Sequence, residues 1–223
     1  MKLREIFEHL AYSELSQLNV GDVSLGLINE SNYDKVLSAV NLGLTALHTR
    51  FCLKKKETLI ELVYGTYSYV VPKDDLLKVE IIYTDKGYEL PLNDESQYYN
   101  VSTPNLKTIV VSKDIVDKVS GVPEEYSSSY LNVVYRANHK IMPYGFNGYD
   151  AEQVEVDLPY AYMEPLLYFI GSRFHNPMGL VNDFNAGNNY AAKYERACQE
   201  IEKSNIRVDQ GKQNTRLAMG GWV

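Results

Sequence analysis

Residues 33–72 read YDKVLSAVNLGLTALHTRFCLKKKETLIELVYGTYSYVVP, and the period of their apolar residues changes once along the way. Through Phe51 the apolar residues Tyr33, Val36, Leu37, Val40, Leu44, Leu47 and Phe51 recur at helical spacing. That spacing lays a stripe along one face of a helix and is the strongest periodic signal in the chain. Ser31, with Asp34 three residues on, stands where a helix start would be capped. Lys54–Lys56 follow the helix, where positive charge offsets the macrodipole. Beyond them, TLIELVYGTYSYVVP alternates and is rich in β-branched and aromatic residues, which is strand chemistry. The stretch predicts a long helix giving way to a β region.

Upstream, residues 2–18 place Leu3, Ile6, Phe7, Leu10 and Leu18 near one helical face. Downstream, LKVEIIYTDKGYELPL reads as a hairpin around Asp85-Lys86-Gly87, and LKTIVVS and YLNVVYRA add strands. The middle therefore reads as about four to six strands. Helical spacing returns after Leu158-Pro159, with Tyr162, Leu166, Phe169 and Ile170 on one face. Pro159 suits a first helical position, and Pro165 makes the first turn irregular or delays the start. A last helix over Met178–Glu202 aligns Val181, Phe184, Tyr190, Tyr194, Ala197, Cys198 and Ile201. Its small residues Ala186 and Gly187 would let a partner helix approach closely.

Two helical pairs flanking a β region cannot each bury a stripe alone, so the expectation is an α+β chain. Residues 1–52 and 158–204 form a four-helix bundle, 53–157 an inserted antiparallel β-rich module, and 205–223 an extended C-terminal arm. The bundle core is expected at Val36, Leu37, Val40, Leu44, Leu47, Leu166, Phe169, Ile170, Tyr194 and Ile201.

Hydrophobic residues make up 45% and charged residues 23%, ordinary globular composition. No apolar run is long enough to span a membrane, and MKLREIFEHLAY carries acidic residues where a secretory leader would be apolar. A protein made in a cytosol is expected. Cys52 and Cys198 lie far apart without CxxC spacing and read as buried thiols. The net charge of −7 argues against a generic DNA-wrapping surface. The charge is uneven: Arg207, Lys212 and Arg216 against Asp209 give residues 205–223 a balance of +2, leaving −9 on the rest. A basic tail on an acidic body suits docking against an acidic neighbour. Tyrosine is in excess, 19 against 6 Phe. That fits strand-rich structure and also protein–protein contact.

Catalytic patterns are not legible. His9, His48, His139 and His175 have no second His or Cys at ligand spacing, and no phosphate-binding, dinucleotide, nucleophile-elbow, zincin or calcium-loop motif occurs. Asp74-Asp75, Asp94-Glu95 and Glu124-Glu125 read as solvated loop charge. Spacing cannot reveal a carboxylate pair assembled by folding. No metal, cofactor or enzymatic activity is expected.

The chain ends in VDQGKQNTRLAMGGWV, with its only tryptophan at position 222. Near the C-terminus it resembles the head–tail adaptor proteins of short-tailed bacteriophages, the group of tail tubular protein A. The resemblance rests on Leu158-Pro159-Tyr160-Ala161-Tyr162, on Leu166 through Phe174, on Asn189-Tyr190-Ala191-Ala192-Lys193-Tyr194, and on a tail from about Asn205. It implies a ring, usually of about twelve copies, under the portal, through which genomic DNA passes without sequence-specific binding. It also implies a virion neck location after assembly in the host cytoplasm, with the portal and the tail nozzle or fibres as partners. The acidic body would suit a channel that DNA must not adhere to. Arg207, Lys212, Arg216, Leu217, Met219 and Trp222 would form a docking arm toward the portal or a neighbour. A different neck or fibre-docking subunit is the nearest alternative. A small cytosolic enzyme or carbohydrate-binding module, with Tyr98-Tyr99 and Tyr144-Gly145-Phe146 as platforms, is the other.

Overall fold

The structure, a computed structural model, describes residues 1–22, 24–145, 151, 153–175 and 181–204, with 181–186 as backbone only. In chain order these form α1 (Leu3–Tyr12), β1 (Gly21–Asp22), β2 (Leu27–Ile28), α2 (Glu30–Arg50) and β3 (Lys55–Glu61). Then come β4 (Ser68–Val70), β5 (Leu76–Thr84), β6 (Glu89–Leu90), β7 (Val101–Asn105), β8 (Thr108–Val111) and α3 (Lys113–Asp117). β9 (Tyr130–Ala137), α4 (Met163–His175) and α5 (Val181–Lys203) complete the order. The chain divides into two compact units: Met1–Cys52 with Lys140–Val223, and Leu53–His139.

The helical unit is organised by α2 and α4. α2 is buried on most of its circumference, with Val36, Leu37, Val40 and Leu47 fully enclosed. At Gly43 a Cβ would stand 2.6 Å from Leu166 Cδ1 and 3.0 Å from Phe169 Cδ1, so the missing side chain lets α4 lie close. At Gly171 the same holds for α5, whose Tyr190 ring lies 3.1–3.3 Å from where a Cβ would be. α1 buries Leu3, Ile6, Phe7 and Leu10, one stripe of an amphipathic helix. Phe7 meets Tyr33 edge-on at 5.2 Å. Two polar residues of α2 are buried and paired. Asn41 donates to Met142 O at 2.9 Å and accepts from Met142 N at 3.0 Å. The imidazole of His48, fully enclosed, bonds Asp157 O at 3.3 Å.

The expected four-helix bundle with an inserted antiparallel β module does not form. The described residues give five helices and nine strands in three antiparallel sheets, an α+β mix. The reason is length. α1 has 10 residues and α4 has 13, against 21 and 23 for α2 and α5, so the four cannot share a layered core along a common axis. α1 stops at Tyr12, and the turns and β1–β2 hairpin after it bring Leu15, Val20 and Ile28 into the core that a longer helix would have filled. Two smaller expectations also shift. The residue before α2 is Asn29, without a side-chain cap bond, in place of Ser31. Pro159 stands outside the helix in extended backbone, and a 3-10 turn over Tyr160–Tyr162 leads into α4. Pro165 then falls in the first turn of α4, where its missing N–H leaves no bond unmade.

The β unit has two sheets, ordered β3-β9-β5-β6 and β4-β8-β7. One apolar cluster takes residues from both, among them Ile60, Ile82, Leu131 and Val133 from the first and Tyr69, Val101, Ile109 and Val111 from the second. Every ladder is antiparallel, with β3 matched to β9 from Lys55↔Arg136 to Glu61↔Tyr130. The β5–β6 hairpin turns at Asp85-Lys86-Gly87, with Gly87 at φ +84 supplying the positive dihedral that the turn needs. β7 contains Pro104, tolerated because β7 is the outermost strand of its sheet.

Candidate protein-docking sites

The connection between β3 and β4 is a braced tip with exposed apolar side chains. Gly65 N donates to Asp117 Oδ1 at 3.1 Å, and the Tyr67 hydroxyl donates to Asp117 Oδ2 at 2.8 Å. Val63 N donates to the Tyr69 hydroxyl at 3.0 Å, which in turn donates to Thr66 O. Gly65 makes the turn at φ +74. The bracing holds the backbone while Val63 and Tyr64 stand 55% and 78% exposed. Apolar side chains on an ordered scaffold lose little entropy on burial, the property of a docking anchor. The bond that it donates to Asp117 raises the Tyr67 phenol above its ordinary value.

In the helical unit, the turns after α1, the first half of α2 and the end of α4 enclose a groove of about 630 Å³. Leu18, Val20, Ala39, Leu42 and Phe174 give it an apolar lining, and Lys35 and Arg173 supply charge. Leu42 is 56% exposed there. The Arg173 guanidinium lies over the Phe169 ring at 5.0 Å. An apolar recess with a few polar groups is the general form of a binding groove.

The α4–α5 face carries aromatic and cationic side chains in contact. Lys193 Nζ sits 5.1 Å from the Tyr190 ring and 5.6 Å from the Tyr168 ring, and His175 stacks on Tyr190 at 5.0 Å. The Tyr168 hydroxyl donates to Glu164 at 2.7 Å, and that bond with burial pushes its phenol up to about 12. Tyr194 is raised chiefly by burial, and Cys198 beside it likewise.

A second recess, about 560 Å³, lies in the β unit and is polar, with Lys78, Glu80, Glu89, Asn93, Thr103 and Asn105 among its lining. Its groups are mutually engaged. Asn93 donates to Thr103 Oγ1 and accepts from Thr103 N, both at 2.8 Å, and Glu80 lies 2.6 Å from Arg136. Nearby in sequence, Tyr98 and Tyr99 meet edge-on at 5.1 Å, and Tyr99 stacks on Tyr126 at 4.9 Å. The Tyr98-Tyr99 pair therefore does not present a coplanar platform.

The residues expected in the helical core lie in one unit. Val36, Leu37, Val40, Leu44, Leu47, Leu166 and Ile170 are enclosed, Ile201 is buried, and Phe169 and Tyr194 are half-buried and meet edge-on at 5.4 Å. Arg207, Lys212, Arg216, Leu217, Met219 and Trp222 lie outside the described residues, as does Phe146. Tyr144 is exposed. Sequence reasoning missed Asp117, whose link to Gly65 crosses 52 positions, and Gly43. A glycine inside a strong helical pattern was the available signal for the latter. Among the described residues no group of His, Cys, Asp and Glu could hold a metal ion, and no helix is long and apolar enough to cross a membrane. Both cysteines are free and buried. No protein-family model matches the chain, and no curated protein matches it in sequence.

Proposed function

We propose that this chain is a virion structural subunit that forms the ring joining portal to tail in a short-tailed bacteriophage and lets DNA pass during ejection. The observation that carries the reading is the braced Val63–Tyr64 tip on the β unit, held by Asp117. A ring is built from heterologous contacts, so each subunit must offer two unlike surfaces. The tip is an exposed aromatic surface, and the groove around Leu42 is a recessed apolar one. The sequence resemblance over Leu158–Tyr194 and the +2 tail beside a −9 body point the same way. In this reading the subunits number about twelve, the 205–223 arm meets the portal or a neighbour, and the nozzle or fibres dock below.

The test is negative-stain imaging of the purified chain mixed with its portal. A coaxial ring on the portal is expected, lost in Tyr64→Ala and Leu42→Asp with the fold intact. It is also lost on deletion of 206–223, which leaves the helical unit folded. A chain that never associates with portal, or that forms the ring equally well without its arm, overturns the reading.

A further inference from the structure

Four strands end the two sheets of the β unit, and three are blunted. β6 has 2 residues, β4 has 3, and β7 carries Pro104. Short length and proline are standard guards against pairing with another chain. β3 has neither. It runs 7 residues, pairs with β9 alone among the described residues, and holds Leu59 64% exposed near its middle.

The backbone shows which groups face outward. Ala137 N donates to Lys54 O at 2.9 Å, and Leu62 N donates to Ser129 O at 2.9 Å, so the even-numbered residues at both ends of β3 turn their polar groups to β9. Antiparallel pairing alternates along a strand, so Thr58 and Ile60 do the same. The N–H and C=O groups of Lys55, Glu57, Leu59 and Glu61 then point away from the sheet.

We infer that β3 pairs antiparallel with β3 of a second copy of this chain, across a two-fold axis at Thr58. That register sets Lys55 opposite Glu61 and Glu57 opposite Leu59, each twice. All four outward-facing residues then exchange both backbone bonds with a partner, and each Lys55 faces a Glu61. Leu59 lies diagonal to its own copy across the axis, within reach of side-chain contact. Of the charges on the strand, Lys55 and Glu61 are complementary in this arrangement, while Lys56 and Glu57 fall opposite Ile60 and Leu59. An isologous contact closes at two copies, so it joins free subunits without propagating. The inference stands apart from the ring reading, which concerns other surfaces.

Sedimentation velocity of the full chain, without portal, tests it. A concentration-dependent dimer is expected. Lys55→Glu and Glu61→Lys each place like charges opposite one another and should weaken it on the order of tenfold. The double variant K55E/E61K restores opposite charges and should return to within about threefold of the parent. Leu59→Pro removes an outward N–H that β9 does not use, so the chain should keep its circular dichroism yet sediment as a monomer. A chain that stays monomeric at its solubility limit overturns the inference. So does any assembly that both single charge variants leave unchanged.

Discussion

Arg50 on α2 and Glu195 on α5 meet end-on: Nη1 donates to Oε2 at 2.6 Å and Nη2 to Oε1 at 2.8 Å, while Nε donates to Glu202 Oε1 at 2.9 Å. The planar fork spends its donors on two carboxylates about two turns apart on one face of α5, a geometry that lysine cannot copy. The Arg50 bonds, with a further one from Gln199, hold the Glu195 carboxyl down to about 2. Glu195 is half exposed, so solvent screening limits the link to roughly 1 kcal/mol. A carboxyl depressed in the folded state stabilises fully above its unfolded value and loses that contribution as pH falls toward the folded one. Arg50→Ala should therefore lower stability in urea unfolding by about 1 kcal/mol near neutrality. The gap to wild type should close between about pH 4.3 and pH 2. Arg50→Lys should recover less than half of it. A gap that stays constant with pH would show that packing, not the ion pair, is at stake.

Gly43 and Gly171 make an ordered pair of predictions. Alanine at either gains helix propensity of about 1 kcal/mol. At Gly43 the new Cβ meets Leu166, itself enclosed in the core, at 2.6 Å; at Gly171 it meets the Tyr190 ring no closer than 3.1 Å. Gly43→Ala should thus destabilise by about 1–3 kcal/mol through overpacking, while Gly171→Ala should come out near neutral. Thermal unfolding of the two variants side by side checks the order. If Gly171→Ala is the worse, the close approach of α2 to α4 is not what the glycine serves.

Asp117 should be separable from the residues it steadies. In Asp117→Ala the Tyr67 phenol loses the bond that raises it and should ionise at lower pH, visible as an earlier rise in tyrosinate absorbance. Amide exchange at Gly65 should quicken together with it, because its N–H loses the same partner. An unmoved titration would mean that the tip is not braced from this carboxylate.

Cys198 is fully enclosed and its thiol is raised by burial, and Cys52 is 5% exposed. Thiolate is the reactive form, so a thiol-specific reagent should modify both only as fast as the protein opens. Rapid labelling of either in the native chain would contradict this burial.

Much of the local structure was legible. The stripe from Tyr33 to Phe51 is α2 to within a few residues, and the Asp85-Lys86-Gly87 turn closes the hairpin read there. Both depend on neighbours in sequence. What failed depended on distance. A stripe says that a face is buried but not against what, so four stripes suggested a bundle where short α1 and α4 and the β1–β2 turns share the work. β7 is hard to read from sequence because Pro104 argues against a strand, and only its outermost place in the sheet excuses it. Asn41 and His48 find partners 101 and 109 residues away, which no spacing rule reaches. Docking surfaces are hardest of all, since Tyr64 looks in sequence like any other strand tyrosine.

β3 and β9, the first and last strands of the β unit, lie side by side, and Ala137 N bonds Lys54 O where the unit begins and ends. Departure and return therefore happen at nearly one point. Such a segment behaves as a cassette: the host loop closes over a gap of one strand spacing, whatever the length spliced into it.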